Sequence, residues 1–137
     1  MHVKIKPKTY GPLTVQSADA STLTFETEAG HRAQAALAPA ANAMSPSDLI
    51  LAALANCIAI SMRMAAQQMA LELGALDASA TATKATDLPN RFGRFDVIVR
   101  TSMAVEPARH EELLRRTKDI CTVSNTLGAE VALRLNH

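Results

Sequence analysis

The sequence holds 137 residues, 48% of them hydrophobic and 20% charged, with a formal net charge of +1, which describes one soluble globular domain with a core of its own. The near-neutral charge excludes the electrostatic footprint of a nucleic-acid or anionic-membrane binder. Aromatic residues make up only 3%, without tryptophan, which excludes base- and sugar-stacking platforms and leaves Ala, Leu, Ile, Val and Met to build the core.

The opening MHVKIKPKTYG is polar and alternating and lacks the apolar centre of a secretory signal. The stretches HVKIK, LTVQS, TLTFETE and HRAQAAL read as short strands, separated by Gly11-Pro12, by residues 17–21 and by the turn at Ala29-Gly30; APAANAM then reads as a loop. Ser45-Pro46-Ser47-Asp48 is a helix start. Ser45 serves as N-cap, proline suits the first helical position, and Asp48 stands where a capping-box acid answers the cap. The helix is expected to run to Leu73 with Gly74 as its stop, about 28 residues or roughly 40 Å. Its first half is apolar on nearly every face, which suits a helix buried all round and calls for a partner subunit on one side. The apolar run 49–62 is only fourteen residues long before Arg63, shorter than a membrane span, so a cytoplasmic protein without membrane attachment is expected.

Downstream, ALDASATATKA and RFDVIVRTSM alternate as strands, with Phe95, Val97 and Val99 on one face, and the turn-like link TDLPNRFG predicts an antiparallel hairpin. Pro107 opens a second helix that places Leu113, Leu114, Thr117, Ile120 and Cys121 on one side. A short helical turn over 123–127 ends at Gly128, and EVALRLN is a last strand. The order is that of an α+β protein and not of a βαβ repeat.

Chemistry rests on two cysteines. Cys57 sits about three turns into the long helix, stacked near Ala53, Ile60 and Ser61, where burial raises a thiol pKa and the helix's own N-terminus is too distant to oppose it. Arg63 lies on another face, so a cation must come from elsewhere; packing filler and nucleophile both remain open for this residue. Cys121 precedes a short helical turn whose free N–H groups suit a thiolate, with Thr122, Ser124 and Asn125 adding donors; a half-buried packing role is the alternative. In a reducing compartment the two thiols fit a transient redox pair or two unpaired core residues. His2, His31, His110 and His137 are scattered without metal-ligand spacing, and phosphate loops and hydrolase or zinc motifs are missing, so neither metal nor cofactor is expected.

Taken together, SPSDLILAALANCIAISMRMAAQQM, LPNRFGRFDVIV and CTVSNTL resemble the OsmC/Ohr family of thiol-dependent hydroperoxide reductases, from Ser45 to the end of the chain and less clearly before it. The Ser-Pro start ahead of a cysteine in an apolar helix, with the later Cys-x-Val-Ser-Asn-Thr-Leu, is the specific part. The resemblance implies a single OsmC-like domain over 1–137 with antiparallel sheets packed around long central helices, in an intertwined homodimer with sites at the subunit interface. It implies that Cys57 attacks an organic hydroperoxide and becomes a sulfenic acid, that Cys121 resolves it to a disulfide, and that an external dithiol resets the pair. Three positions depart from the family pattern. Ser47 stands where an acid usually orients an activating arginine, no arginine precedes Arg32 in the first strands, and Thr122 replaces the proline that often follows the second cysteine. Arg91 and Arg94 are the substitute cations the sequence offers.

Overall fold

The computed structural model describes residues 5–136, and its backbone divides into two compact units, residues 1–48 and 49–137. The first unit is an antiparallel sheet of β1 (Thr14–Asp19), β2 (Thr22–Glu26) and β3 (Arg32–Ala35), paired in that order. Val15 faces Phe25 and Leu23 faces Ala35 across the sheet. The strand expected at HVKIK lies mostly outside the described residues, and Ile5 and Lys6 have no regular structure. The strand expected over HRAQAAL is confined to β3; the chain then loops and is tied back by the Ala36 N–H on Met44 O at 3.0 Å and the Met44 N–H on Gln34 O at 3.3 Å.

The helix start forms as its residues dictate. The Asp48 carboxylate accepts from the Ser45 N–H at 3.0 Å, and the Asp48 N–H donates to Ser45 Oγ at 3.2 Å, which satisfies two otherwise orphaned donors. From there α1 (Pro46–Gln68) runs 23 residues. It stops before the expected Gly74, at Ala70. This residue takes a φ of 54° in the left-handed region, while the Leu71 N–H reaches back to Ala66 O at 2.8 Å and the Ala70 N–H to Gln67 O at 3.2 Å. That is a Schellman closure with alanine where glycine is usual. Gly74, at φ 69°, serves a different purpose: a Cβ there would overlap Ser102 Oγ, the atom that accepts the Ala75 N–H at 2.8 Å. With an 18-residue window of mean hydropathy 1.8, α1 is long and apolar enough to cross a membrane, contrary to the reading from the run 49–62. Its stripe Leu54, Ile58, Met62, Ala65 and Met69 is nonetheless buried in the core of the second unit.

That unit holds β4 (Leu76–Lys84), β5 (Phe92–Thr101), α2 (Pro107–Ile120), α3 (Thr122–Thr126) and β6 (Glu130–Asn136). The β4–β5 hairpin is antiparallel as expected, from Leu76 opposite Thr101 to Lys84 opposite Phe92. β6 pairs with β5 in parallel, so β5, the two short helices and β6 form one crossover unit, and β5 is the central strand. Its alternation buries Phe95, Val97 and Val99 as anticipated, against the α1 stripe, Leu113 and Val131. Each such side chain contributes about 1.5–3 kcal/mol by leaving water. The opposite side of α1 is not covered by the described residues of the second unit. Leu49, Ala52, Ala53, Asn56, Ile60 and Met64 are exposed, so this helix is buried on one stripe and not all round.

Candidate active site

The second unit brings Cys57 and Cys121 together as free thiols, and the register of two helices explains why. Two arginines of α2 tie it to the end of α1. At one end the Arg109 guanidinium donates to Met69 O at 3.1 Å, where a cation also complements the C-terminal pole of α1. Arg116 holds Gln68 Oε1 at 3.1 Å. Cys121 is twelve residues beyond Arg109, and Cys57 is twelve residues before Met69, so both helices advance about 18 Å from the clamp to the thiols. The two thiols are near enough to act on one another.

Cys121 is fully buried and ends α2 while starting α3. Its sulfur accepts the Ser124 N–H at 3.3 Å. The turn that follows therefore offers its first N–H groups, but not to Cys121 alone as the sequence suggested: those of Val123 and Thr122 act on Cys57. Cys57 also meets the hydroxyl of Ser61, one turn along α1, at 4.0 Å. Burial pushes the Cys57 thiol up, and the Val123 N–H, the Cys121 thiol, the Ser61 hydroxyl and the Thr122 N–H outweigh it, so the net direction is down. For Cys121, burial pushes the thiol up; the Ser124 N–H opposes this, while the neighbouring Cys57 adds to it, and the net direction is up. The pair thus has one preferred site for a negative charge, on the half-exposed Cys57. Cys57 lacks its own helix's dipole but receives the N-terminal donors of another, a supply with no signature in side-chain identity.

The two cations offered by the hairpin link are engaged elsewhere. Arg91 pairs with Asp87 at 2.7 Å, and Arg94 with Asp96 at 3.0 Å and Glu130 at 3.1 Å. Those carboxylates raise the Arg94 pKa, Asp96 by hydrogen bond first and then by charge. Within the first unit Arg32 approaches Glu26 at 3.9 Å. In the position of the family's acid, Ser47 is exposed, and the neighbouring Asp48 is committed to the Ser45 cap. An apolar cleft of about 350 Å³ lies between Ile50, Phe92, Phe95, Leu127 and Ala129, with Arg91 on its lining. Ile50 stands two turns, about 10 Å, before Cys57 on α1, and Cys57 itself does not line the cleft. His110 directs Nε2 to Val105 O at 2.8 Å and takes no part in the thiol cluster.

A family profile described as OsmC-like protein matches residues 39–136. Among solved structures, an OsmC-like protein from Mycoplasma pneumoniae superposes with a TM-score of 0.80 at 17% identity, covering 96% of this chain and 100% of that one. An organic hydroperoxide resistance protein OsmC from Legionella pneumophila gives 0.77 at 16% identity over 96% and 100% of the two chains. The organic hydroperoxide resistance protein OhrB of Bacillus subtilis gives 0.71 at 17% identity over 93% and 98%. Comparison with curated protein sequences yields no match. The likeness covers both units and fits the α+β architecture read from the sequence, while the family profile spans the helix start and both cysteine segments: the chain belongs to the OsmC-like, or OsmC/Ohr, family.

Proposed function

We propose that this protein is a thiol-dependent peroxidase that reduces organic hydroperoxides to alcohols, with Cys57 as the attacking thiolate and Cys121 as the resolving thiol. The observation that carries this reading is the pair of free thiols within the family-matched segment, Cys57 partly exposed beside the Ser61 hydroxyl and Cys121 buried under the Ser124 N–H. The reaction balances in three steps. The Cys57 thiolate attacks the terminal oxygen of ROOH; the O–O bond breaks, the departing alkoxide takes a proton to give ROH, and Cys57 is left as a sulfenic acid. The Cys121 sulfur then displaces hydroxide from that sulfenic sulfur, and its proton leaves with the hydroxide as water. An external dithiol reduces the resulting disulfide and is itself oxidised. Val123 and Thr122 hold the attacking charge before the first step. With its thiol pKa lowered while that of Cys121 is raised, Cys57 is also the better leaving group in the last.

The protein acts as a cytoplasmic homodimer in this proposal, one OsmC-like domain per chain, with the uncovered α1 side facing the second copy. Proteins of the same fold are named for organic hydroperoxide resistance, which supports the substrate class. A second reading is an OsmC-like dimer with weak or no peroxidase activity that binds an apolar small molecule at the interface. It is favoured by one observation, the commitment of Arg91 and Arg94 to carboxylates.

One equivalent of cumene hydroperoxide separates the two readings. The first expects loss of both thiols and a mass decrease of about 2 Da per chain, and accumulation of a Cys57 sulfenic acid in Cys121→Ser. Survival of both thiols through an hour in modest excess of peroxide rejects it in favour of the second.

A further inference from the structure

The reaction above leaves Ser61 without an assignment. It lies one turn beyond Cys57 on α1 and is only 2% exposed, so its hydroxyl is cut off from water. A buried hydroxyl needs a partner. Inside a helix, serine and threonine ordinarily find one by donating to the carbonyl four residues earlier. Thr117 does so in α2, its Oγ1 donating to Leu113 O at 2.7 Å. Ser61 departs from that habit: among the described residues, the partner of its Oγ is the Cys57 sulfur at 4.0 Å, and no buried side-chain oxygen or nitrogen there is left unsatisfied.

We propose that Ser61 is a positioning residue for the attacking sulfur, its hydroxyl turned from the helix backbone to donate to the Cys57 thiolate. The inference deepens the peroxidase reading, since it assigns a task to Ser61 at that same sulfur. A thiolate has no proton and only accepts, whereas a neutral thiol is a weak partner in either sense, so a donated O–H favours the charged form. The geometry adds direction to this preference. Val123 and Thr122 approach the sulfur from α3 and Ser61 approaches it from α1. The titratable group facing it from α2 is the Cys121 thiol; α3 presents backbone N–H groups, and Arg63 on α1 is exposed on another face.

The test is the pH profile of iodoacetamide alkylation, read separately for each cysteine by peptide mass in the full-length wild type and Ser61→Ala. Alanine is smaller than serine and favours the helix, so the variant keeps its fold and thermal midpoint. The expected result is a profile for Cys57 displaced to higher pH, with alkylation at least about threefold slower on the acidic limb. The alkaline plateau stays equal or rises slightly, because a more basic thiolate is the better nucleophile. A Cys57 profile superimposable on wild type overturns the proposal. So does a uniform change at every pH, plateau included, which reports altered access to the sulfur. Because the readout needs no hydroperoxide, a failure of the peroxidase reading and a failure of the Ser61 assignment are told apart.

Discussion

Cys57 and Cys121 both lose water on folding, and burial alone would raise both thiols. What separates them is the placement of a few donors: Val123, Thr122, Ser61 and the Cys121 thiol itself converge on Cys57, while Cys121 gains chiefly the Ser124 N–H. A thiol whose pKa is lowered ionises at a lower pH than usual, and one whose pKa is raised stays protonated there. Near neutral pH, brief iodoacetamide labelling of the reduced protein is therefore expected to favour Cys57 over Cys121 by at least about tenfold. As pH falls through the Cys57 pKa its labelling drops with the thiolate fraction. Equal labelling of the two residues contradicts the asymmetry. Both cysteines of the proposed site are marked in the sequence by the motifs around them. The donors around Cys57 are not marked there, because backbone N–H groups carry no residue identity and their convergence on this sulfur needs the tertiary fold. The sequence also points to Arg91 and Arg94 as cations, although Asp87 and Asp96 stand close enough in the chain to claim them.

At the scale of elements, local hydrogen-bond chemistry made the beginning of α1 readable and its end misleading. The Ser45–Asp48 reciprocity is contained in four residues and needs no tertiary context. The end of the helix falls instead at Ala70, a residue whose propensity argues for continuation. Gly74, which reads as the stop, is required where the chain passes Ser102 and Met103. The two positions respond oppositely to substitution. Ala70→Gly relieves a Cβ held at positive φ and is expected to raise stability by about 0.5–1 kcal/mol, less the extra freedom glycine gives the unfolded chain. Gly74→Ala places a Cβ against Ser102 Oγ and 3.0 Å from Met103 Cγ, at a φ that alanine also resists. It is expected to lose about 2 kcal/mol or more. Urea unfolding of both variants checks the signs; a gain at Gly74 or a loss at Ala70 sinks the account. The parallel pairing of β6 with β5 was beyond local reading for a related reason: the direction of a last strand is settled by the crossover through α2 and α3 that connects it to β5, and not by the pattern of EVALRLN.

For the molecule as a whole, the α1 side that carries Ile60 and Met64 is the main unfinished surface of the second unit's long helix. They are 54% and 47% exposed on a helix whose opposite stripe is fully packed. Exposed apolar side chains aligned at helical spacing are the mark of a contact between chains. In the proposed homodimer the double substitution Ile60→Lys with Met64→Lys is expected to shift the protein to monomer, because two ammonium groups would be desolvated against their copies. Light scattering at matched concentrations decides this; a variant that keeps the wild-type mass removes α1 from the interface.

The supply of the Cys57 donors by peptide backbone has a consequence in ionic strength. A guanidinium at the surface acts through a field that dissolved ions screen within about 8 Å at physiological salt. The influence of the Val123 and Thr122 N–H groups on a half-buried sulfur is little affected by such screening, and a chain of net charge +1 has little long-range field of its own to lose. In the proposed peroxidase the reactivity of Cys57 is therefore expected to stay level as the salt around the protein rises or falls.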